Sequence, residues 1–235
     1  MAVAFDATSN SGTASPGQTG NISFTHTPVG TPKGVIVFIN QSIGTGAGGS
    51  EDEVTAVTYG GQAMTRLAIA QDAVGEPGAS YAYFLGSSVP TGAQTVAVTV
   101  GGDAGHVRRA CCITVTASGD TEALSGTSVV NQANPNVTVS ALDATKEYFV
   151  AATLFTGGNG PADFSGGADY TEIHEHDLGN QAGGSLRRTN NISGATSVTA
   201  DWVAGASTGV AAIGVALVDT ASLKARSGLT TLLVG

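Results

Sequence analysis

The sequence predicts an all-β protein: a jelly-roll-like antiparallel β-sandwich of about a dozen strands with a short C-terminal arm. Three observations predict it. Glycine takes 34 of 235 positions and charged residues only 11%, against ~25% charge in an ordinary domain, and Gly, Thr and Val all disfavour helix. Short β-rich runs alternate with Gly/Pro turns from one end of the chain to the other. No long window carries a 3.6-residue apolar repeat.

The runs come in order. Asn21–Thr25, Gly34–Asn40, Val54–Tyr59, Met64–Ala70, Ser80–Leu85 and Gln94–Val100 form a first set. Val107–Thr116, Asn136–Ala141, Glu147–Phe155, Tyr170–His176, Ser197–Val203 and Val210–Val218 form a second. Thr95–Val100 and Asn136–Ser140 alternate apolar with polar, as strands buried on one face do. Val35–Ile39 and Tyr148–Ala152 do not alternate and are expected to be covered on both faces. The second set echoes the first, each ending in a long Ala/Val-rich strand. Two tandem sandwiches would give this echo, and so would one jelly roll of two interlocked halves. The lack of a polar linker favours a single jelly-roll domain over residues 1–220, with Gly119–Asn134 as its crossover. Trp202, Val198, Val96, Val98, Phe38 and Val150 are its expected core.

Charge excludes one class of partner. Nine Lys and Arg against 18 Asp and Glu give a net charge of -9, and the basic residues are scattered, so phosphate has no basic patch to meet. No run reaches the ~18 apolar residues of a membrane span, and the opening residues lack the basic and apolar regions of a secretory signal. Cys111 and Cys112 are adjacent, so on a strand they point to opposite faces and read as two buried thiols rather than a disulfide.

Four motifs suggest chemistry, and each has a plainer reading. Gly44–Gly49 fits GxGxxG, but a strand follows where a dinucleotide site needs a helix. Gly205–Gly209 fits GxSxG around Ser207, yet it joins strand to strand, not strand to helix. His174 and His176 would project about 7 Å apart from one strand face, a candidate metal pair of the kind cupin-type jelly rolls use. No carboxylate follows at the expected spacing, and a solvated strand face is the plainer account. Glu51-Asp52-Glu53 reads as a solvated acidic turn rather than a dedicated Ca²⁺ loop. No cofactor and no catalytic residue is expected. A sugar-binding face would need exposed rings, and Tyr81 and Tyr83, alternating on one strand, are its candidates. Cross-strand packing explains them equally well.

Val54–Leu67 resembles the V-T-Y/W-G-G-x-x-M/L-T hairpin of a β-sandwich domain common in tailed bacteriophages. Ser80–Val100 resembles its next element, an aromatic strand, a Pro/Gly turn and a Val-alternating strand. Val107–Gly119, Glu147–Gly158 and the pair Ser197–Val203 and Val210–Val218 resemble its later strands. The resemblance implies a non-enzymatic virion structural protein, assembled in the host cytoplasm, that decorates the capsid or joins head and tail parts. Its implied partners are other virion proteins. The alternative is a carbohydrate-binding module of a tail adhesin or cell-surface protein. Residues 221–235 follow the last run and hold Leu223, Leu229, Leu232, Leu233 and Val234. So short a segment cannot bury those side chains on itself, and it is expected to dock on a neighbouring subunit of a homo-oligomer or on another virion protein.

Overall fold

The computed structural model describes residues 2–12, 18–43, 52–72, 77–101, 106–130, 134–157, 165–178, 181–203 and 209–221. Among them the first ten strands are β1 (Ala4–Asn10), β2 (Gln18–Thr19), β3 (Ile22–His26), β4 (Gly34–Ser42), β5 (Val54–Tyr59), β6 (Gln62–Ala63), β7 (Thr65–Asp72), β8 (Gly78–Leu85), β9 (Gln94–Val100) and β10 (Val107–Thr116). Nine more follow: β11 (Thr121–Val130), β12 (Asn136–Ser140), β13 (Glu147–Gly157), β14 (Ser165–Gly166), β15 (Tyr170–Asp177), β16 (Ala182–Arg188), β17 (Ile192–Ser193), β18 (Ser197–Val203) and β19 (Gly209–Asp219). The protein is an all-β antiparallel sandwich, and all twelve expected runs are strands. Seven further strands lie outside the expected runs: the long β1, β11 and β16 and the two-residue β2, β6, β14 and β17. Gly119–Asn134, read as a crossover, instead contains β11, which pairs with β19 over ten residues.

The strand order shows why the sequence repeats itself. The first large sheet runs β1-β10-β4-β8-β7 and its small partner β3-β9-β5-β6. The second large sheet runs β11-β19-β13-β16-β15 and its small partner β12-β18-β14. Replacing β1, β3, β4, β5, β7, β8, β9 and β10 by β11, β12, β13, β14, β15, β16, β18 and β19 converts one half into the other. Within each half the chain crosses repeatedly between large and small sheet, and the first strand pairs with the last, as in a jelly roll. The jelly-roll order therefore occurs twice, not once across the whole chain. The joint between the halves carries no polar linker because it is itself packed: the Thr121 N–H donates to Gly86 O (2.8 Å) and its hydroxyl to Lys33 O (2.8 Å).

Alternation then builds three apolar layers between four stacked sheets. On β4, Val35, Val37 and Ile39 pack with Tyr81, Tyr83, Val96 and Val98 inside the first half. Ile36 and Phe38 point the other way, onto Phe149, Phe155, Ile213 and Leu217 of the second half. On β13, Val150 and Leu154 face away from that layer, and Trp202 and Val198 lie on the small sheet opposite them. All six expected core residues are buried, but they are distributed among three layers. Both faces of β4, β10, β13 and β19 are covered, so these strands do not alternate apolar with polar, and the polar residues they hold, such as Asn40 and Arg108, are buried with them. Cys111 joins the central layer and Cys112 the first-half layer, both as free thiols.

A polar seam crosses the central layer. Asn40 Nδ2 donates to Ser80 Oγ (2.8 Å), and Ser80 Oγ donates to Ala211 O (2.8 Å). The Thr153 hydroxyl lies 3.2 Å from Asn40 Oδ1, and Ser185 Oγ donates to Thr153 Oγ1 (3.1 Å). Asn40 and Ser80 belong to the first half; Ala211, Thr153 and Ser185 belong to the second. Because buried hydroxyls and amides tolerate few geometries, the seam fixes the register of one half on the other. Gly78 lies at the same layer, where a Cβ would meet the Phe155 ring and the Gln41 carbonyl. Gly78→Ala should therefore cost roughly 1–3 kcal/mol by overpacking, read as a lower urea midpoint at unchanged m-value.

Candidate functional site

The sequence-based candidates occupy unlike places. Tyr81 and Tyr83 do share a face, but it is the inner one: they are 0% and 3% exposed. Tyr81 Oη accepts the Glu53 N–H (3.1 Å), and Tyr83 Oη donates to Val54 O (2.9 Å). Burial raises both phenol pKa values. As a sugar-stacking face they are ruled out by their position; alternation gave the shared face, but not which side it covers. His174 is buried rather than solvated, and its Nδ1 accepts from Asn10 Nδ2 (3.0 Å). The side chain of His176 lies outside the described ones, and no group of three or more metal-ligating residues forms among the described residues. Gly44–Gly49, Ser207 and the arm leucines with Val234 also lie outside the described residues.

The acidic turn is split. Asp52 meets Arg66 at the surface (2.6 Å), whereas Glu53 turns inward and is 3% exposed, which corrects its reading as solvated. Its carboxylate pairs with the Arg108 guanidinium and accepts from His106 Nδ1 (2.8 Å). Arg108 also donates to Gln41 Oε1 (2.7 Å) and to His106 O (2.9 Å). Arg108 sits on β10 at 0% exposure, so its charge is desolvated and needs this set of acceptors. Spacing gave no hint of the pair, since the partners are 55 residues apart. A signal was present in the strand itself: a charged residue in a run covered on both faces must have a buried counter-ion.

A second, partly buried chain of polar groups links β1, β3 and β10. Asp6 accepts from the Thr114 hydroxyl (2.8 Å) and from Gly30 N–H (2.6 Å). With its one proton given to Asp6, Thr114 Oγ1 accepts from His26 Nε2 (3.0 Å), so His26 Nδ1 accepts from Ser9 Oγ (3.0 Å). Burial lowers the His26 pKa, consistent with a neutral ring holding this direction of donation. Serine, imidazole and carboxylate thus lie in one chain, but Thr114 intervenes and His26 is 0% exposed. The chain acts as a clamp between strands.

His174 supplies a pH dependence. Burial, and then the Arg109 charge, lower its pKa from 6.5 to about 4. The unfolded chain takes up the proton first, so the neutral ring's contribution is complete above pH 6.5 and is lost as pH falls toward 4. We expect an acid-side loss of about 2 kcal/mol from this group. Urea midpoints at pH 7 and pH 4 should differ less in His174→Gln than in the parent chain; an unchanged difference would exclude His174 as the source. His26 contributes in the same direction in both.

Among the described residues, clefts open at corresponding flanks of the two halves. One, of about 560 Å³, is lined by Asp52, Val54, Val57, Met64, Arg66 and Tyr83 among others. The other, of about 350 Å³, is lined by Asp169, Tyr170, Arg188, Ser197, Thr199 and Asp201 among others. Arg188 pairs with Asp169 (2.6 Å), and Tyr170 Oη donates to Thr199 O (2.8 Å). Each cleft therefore carries an Arg–Asp pair. Neither is lined by Ser9, His26, His106 or either thiol. Burial raises the Cys111 pKa to about 11 and the Cys112 pKa as well, so neither is a nucleophile at neutral pH. Compared with known protein families, curated proteins and solved structures, the chain finds no match.

Proposed function

We propose that the chain is a non-enzymatic structural protein of a tailed-phage particle, a block that decorates the capsid or joins head and tail parts. The observation that carries this reading is where the reactive side chains are used. His26, His106, His174, Glu53, Arg108 and both thiols are buried, and the ionisable ones among them tie strands to one another. What remains outside is largely Thr, Ser, Asn and Gly on a duplicated, four-sheet block. The phage-like hairpin supports the reading too. Gly60 and Gly61, central to that motif, have φ of 56° and 80° and turn β5 into β6, so the motif builds fold and not chemistry.

Mass spectrometry of purified particles from the source phage or prophage is the test. The chain should be present at a fixed, near-stoichiometric ratio to the major capsid or tail proteins. Its absence from particles that infect normally would sink the proposal. The glycan-binding alternative now rests on the cleft holding Asp169, Arg188 and Asp201, whose charged groups and hydroxyls match a polyhydroxy ligand. A glycan bound by the parent chain and lost in Asp201→Ala would favour it.

A further inference from the structure

Among the described residues, every long edge strand of the two large sheets is interrupted except one. β1 shifts register between Phe5 and Ala7, β7 between Arg66 and Ala68, and β15 between Glu172 and His174. Such bulges twist an edge away from chance partners. The edges of the small sheets are short, five residues in β3 and β12 and two in β6 and β14. β11 is the exception, ten residues paired to β19 without a shift. It contains neither Pro nor Lys, and Glu122 is its one charged residue. Its counterpart in the first half, β1, has both a bulge and Asp6, so the duplication supplies its own comparison.

Register shows which main-chain groups of β11 face outward. Thr220 N–H donates to Asp120 O (2.9 Å), which places the even-numbered residues of β11 in the pairs bonded to β19. The N–H and C=O of Ala123, Ser125, Thr127 and Val129 therefore point away from the sheet. Among the described residues no main-chain bond outside the ladder reaches these four. Ser125, Thr127 and Val129 are exposed, and Val129 is one of three exposed large hydrophobic residues among those described.

We propose that β11 is a homodimer edge, pairing antiparallel with β11 of a second copy about a twofold axis through Gly126. A twofold interface must match itself, and this strand does. In that register Ser125 faces Thr127 of the other copy and Ala123 faces Val129, so outward groups meet outward groups. Four facing pairs with two hydrogen bonds each give about eight bonds. Ser–Thr is a favourable cross-strand pair, and Ala opposite Val brings no clash of charge. Glu122 falls opposite Val130, so no like charges meet. The two large second-half sheets then become one continuous sheet. This pairing does not depend on the particle reading.

Sedimentation of the full chain over a range of concentrations is the test, on the parent, Thr127→Pro and Val129→Lys. Thr127→Pro removes an outward donor without touching the ladder to β19, a change an edge strand tolerates. Val129→Lys places a charge where edges are naturally guarded. The parent should be a dimer, and each substitution should weaken it roughly ten- to hundredfold, two hydrogen bonds being lost per dimer in the proline variant. Unchanged circular dichroism would show that both variants fold, and Val129→Lys keeps the test alive if Thr127→Pro does not. A parent that stays monomeric, or a dimer indifferent to the folded variants, overturns the proposal.

Discussion

Arg108→Met should lower stability by about 3–5 kcal/mol, the cost of leaving a buried carboxylate without its counter-ion. Arg108 and Glu53 are both almost completely buried, and the guanidinium meets the carboxylate, Gln41 Oε1 and His106 O at once. Removing the cation leaves the buried Glu53 carboxylate with the His106 hydrogen bond but no arginine counter-ion. Adding Glu53→Leu should recover part of the loss, because an apolar pair carries no desolvation penalty. Urea unfolding of the single and double variants measures both effects. A single variant within 1 kcal/mol of the parent, on the order of a surface change, would mean that water reaches the carboxylate.

Trp202→Ala is expected to cost about 3–5 kcal/mol through the cavity it leaves. The indole is 1% exposed between the second large sheet and β18, against Leu154, Leu186 and Val210. This pocket is closed by strands on both sides, so it cannot collapse without moving a sheet. Iodide should fail to quench Trp202 in the folded chain, and the urea midpoint of the alanine variant should fall steeply. Free quenching would place the ring at the surface.

What could be read in the sequence follows from local physics. Period-2 alternation located β9, β12 and β18, and unbroken apolar runs marked β4 and β13 as covered twice. Trp202 fell on the apolar face of an alternating run and was correctly buried. β11 and β16 escaped because Thr-Glu-Ala-Leu-Ser-Gly and Ala-Gly-Gly-Ser-Leu have little intrinsic strand preference; they are strands because β19 and β13 pair with them. The echo between halves was visible, but whether it meant one jelly roll or two depended on pairings far apart in the chain. The buried polar groups were hidden for the same reason. Alternation assigns side chains to two faces, and only the packing of a second sheet decides which face is inside, as with Tyr81 and Tyr83.

The two jelly rolls should unfold as a single cooperative body, because they are joined through the layer of Phe38, Phe155 and Ile213 and the Asn40–Thr153 seam. The chain carries a probe in each half. Trp202 is its one tryptophan and reports on the second half, while the buried thiols of Cys111 and Cys112, both on β10, report on the first. Equilibrium unfolding in guanidinium should be followed by tryptophan fluorescence and, in the same samples, by pulsed thiol labelling. Coincident transitions with one midpoint are the predicted result. Thiol labelling that completes at a denaturant concentration where Trp202 remains native, or the reverse order, would show two halves that fold independently and contradict the shared central layer.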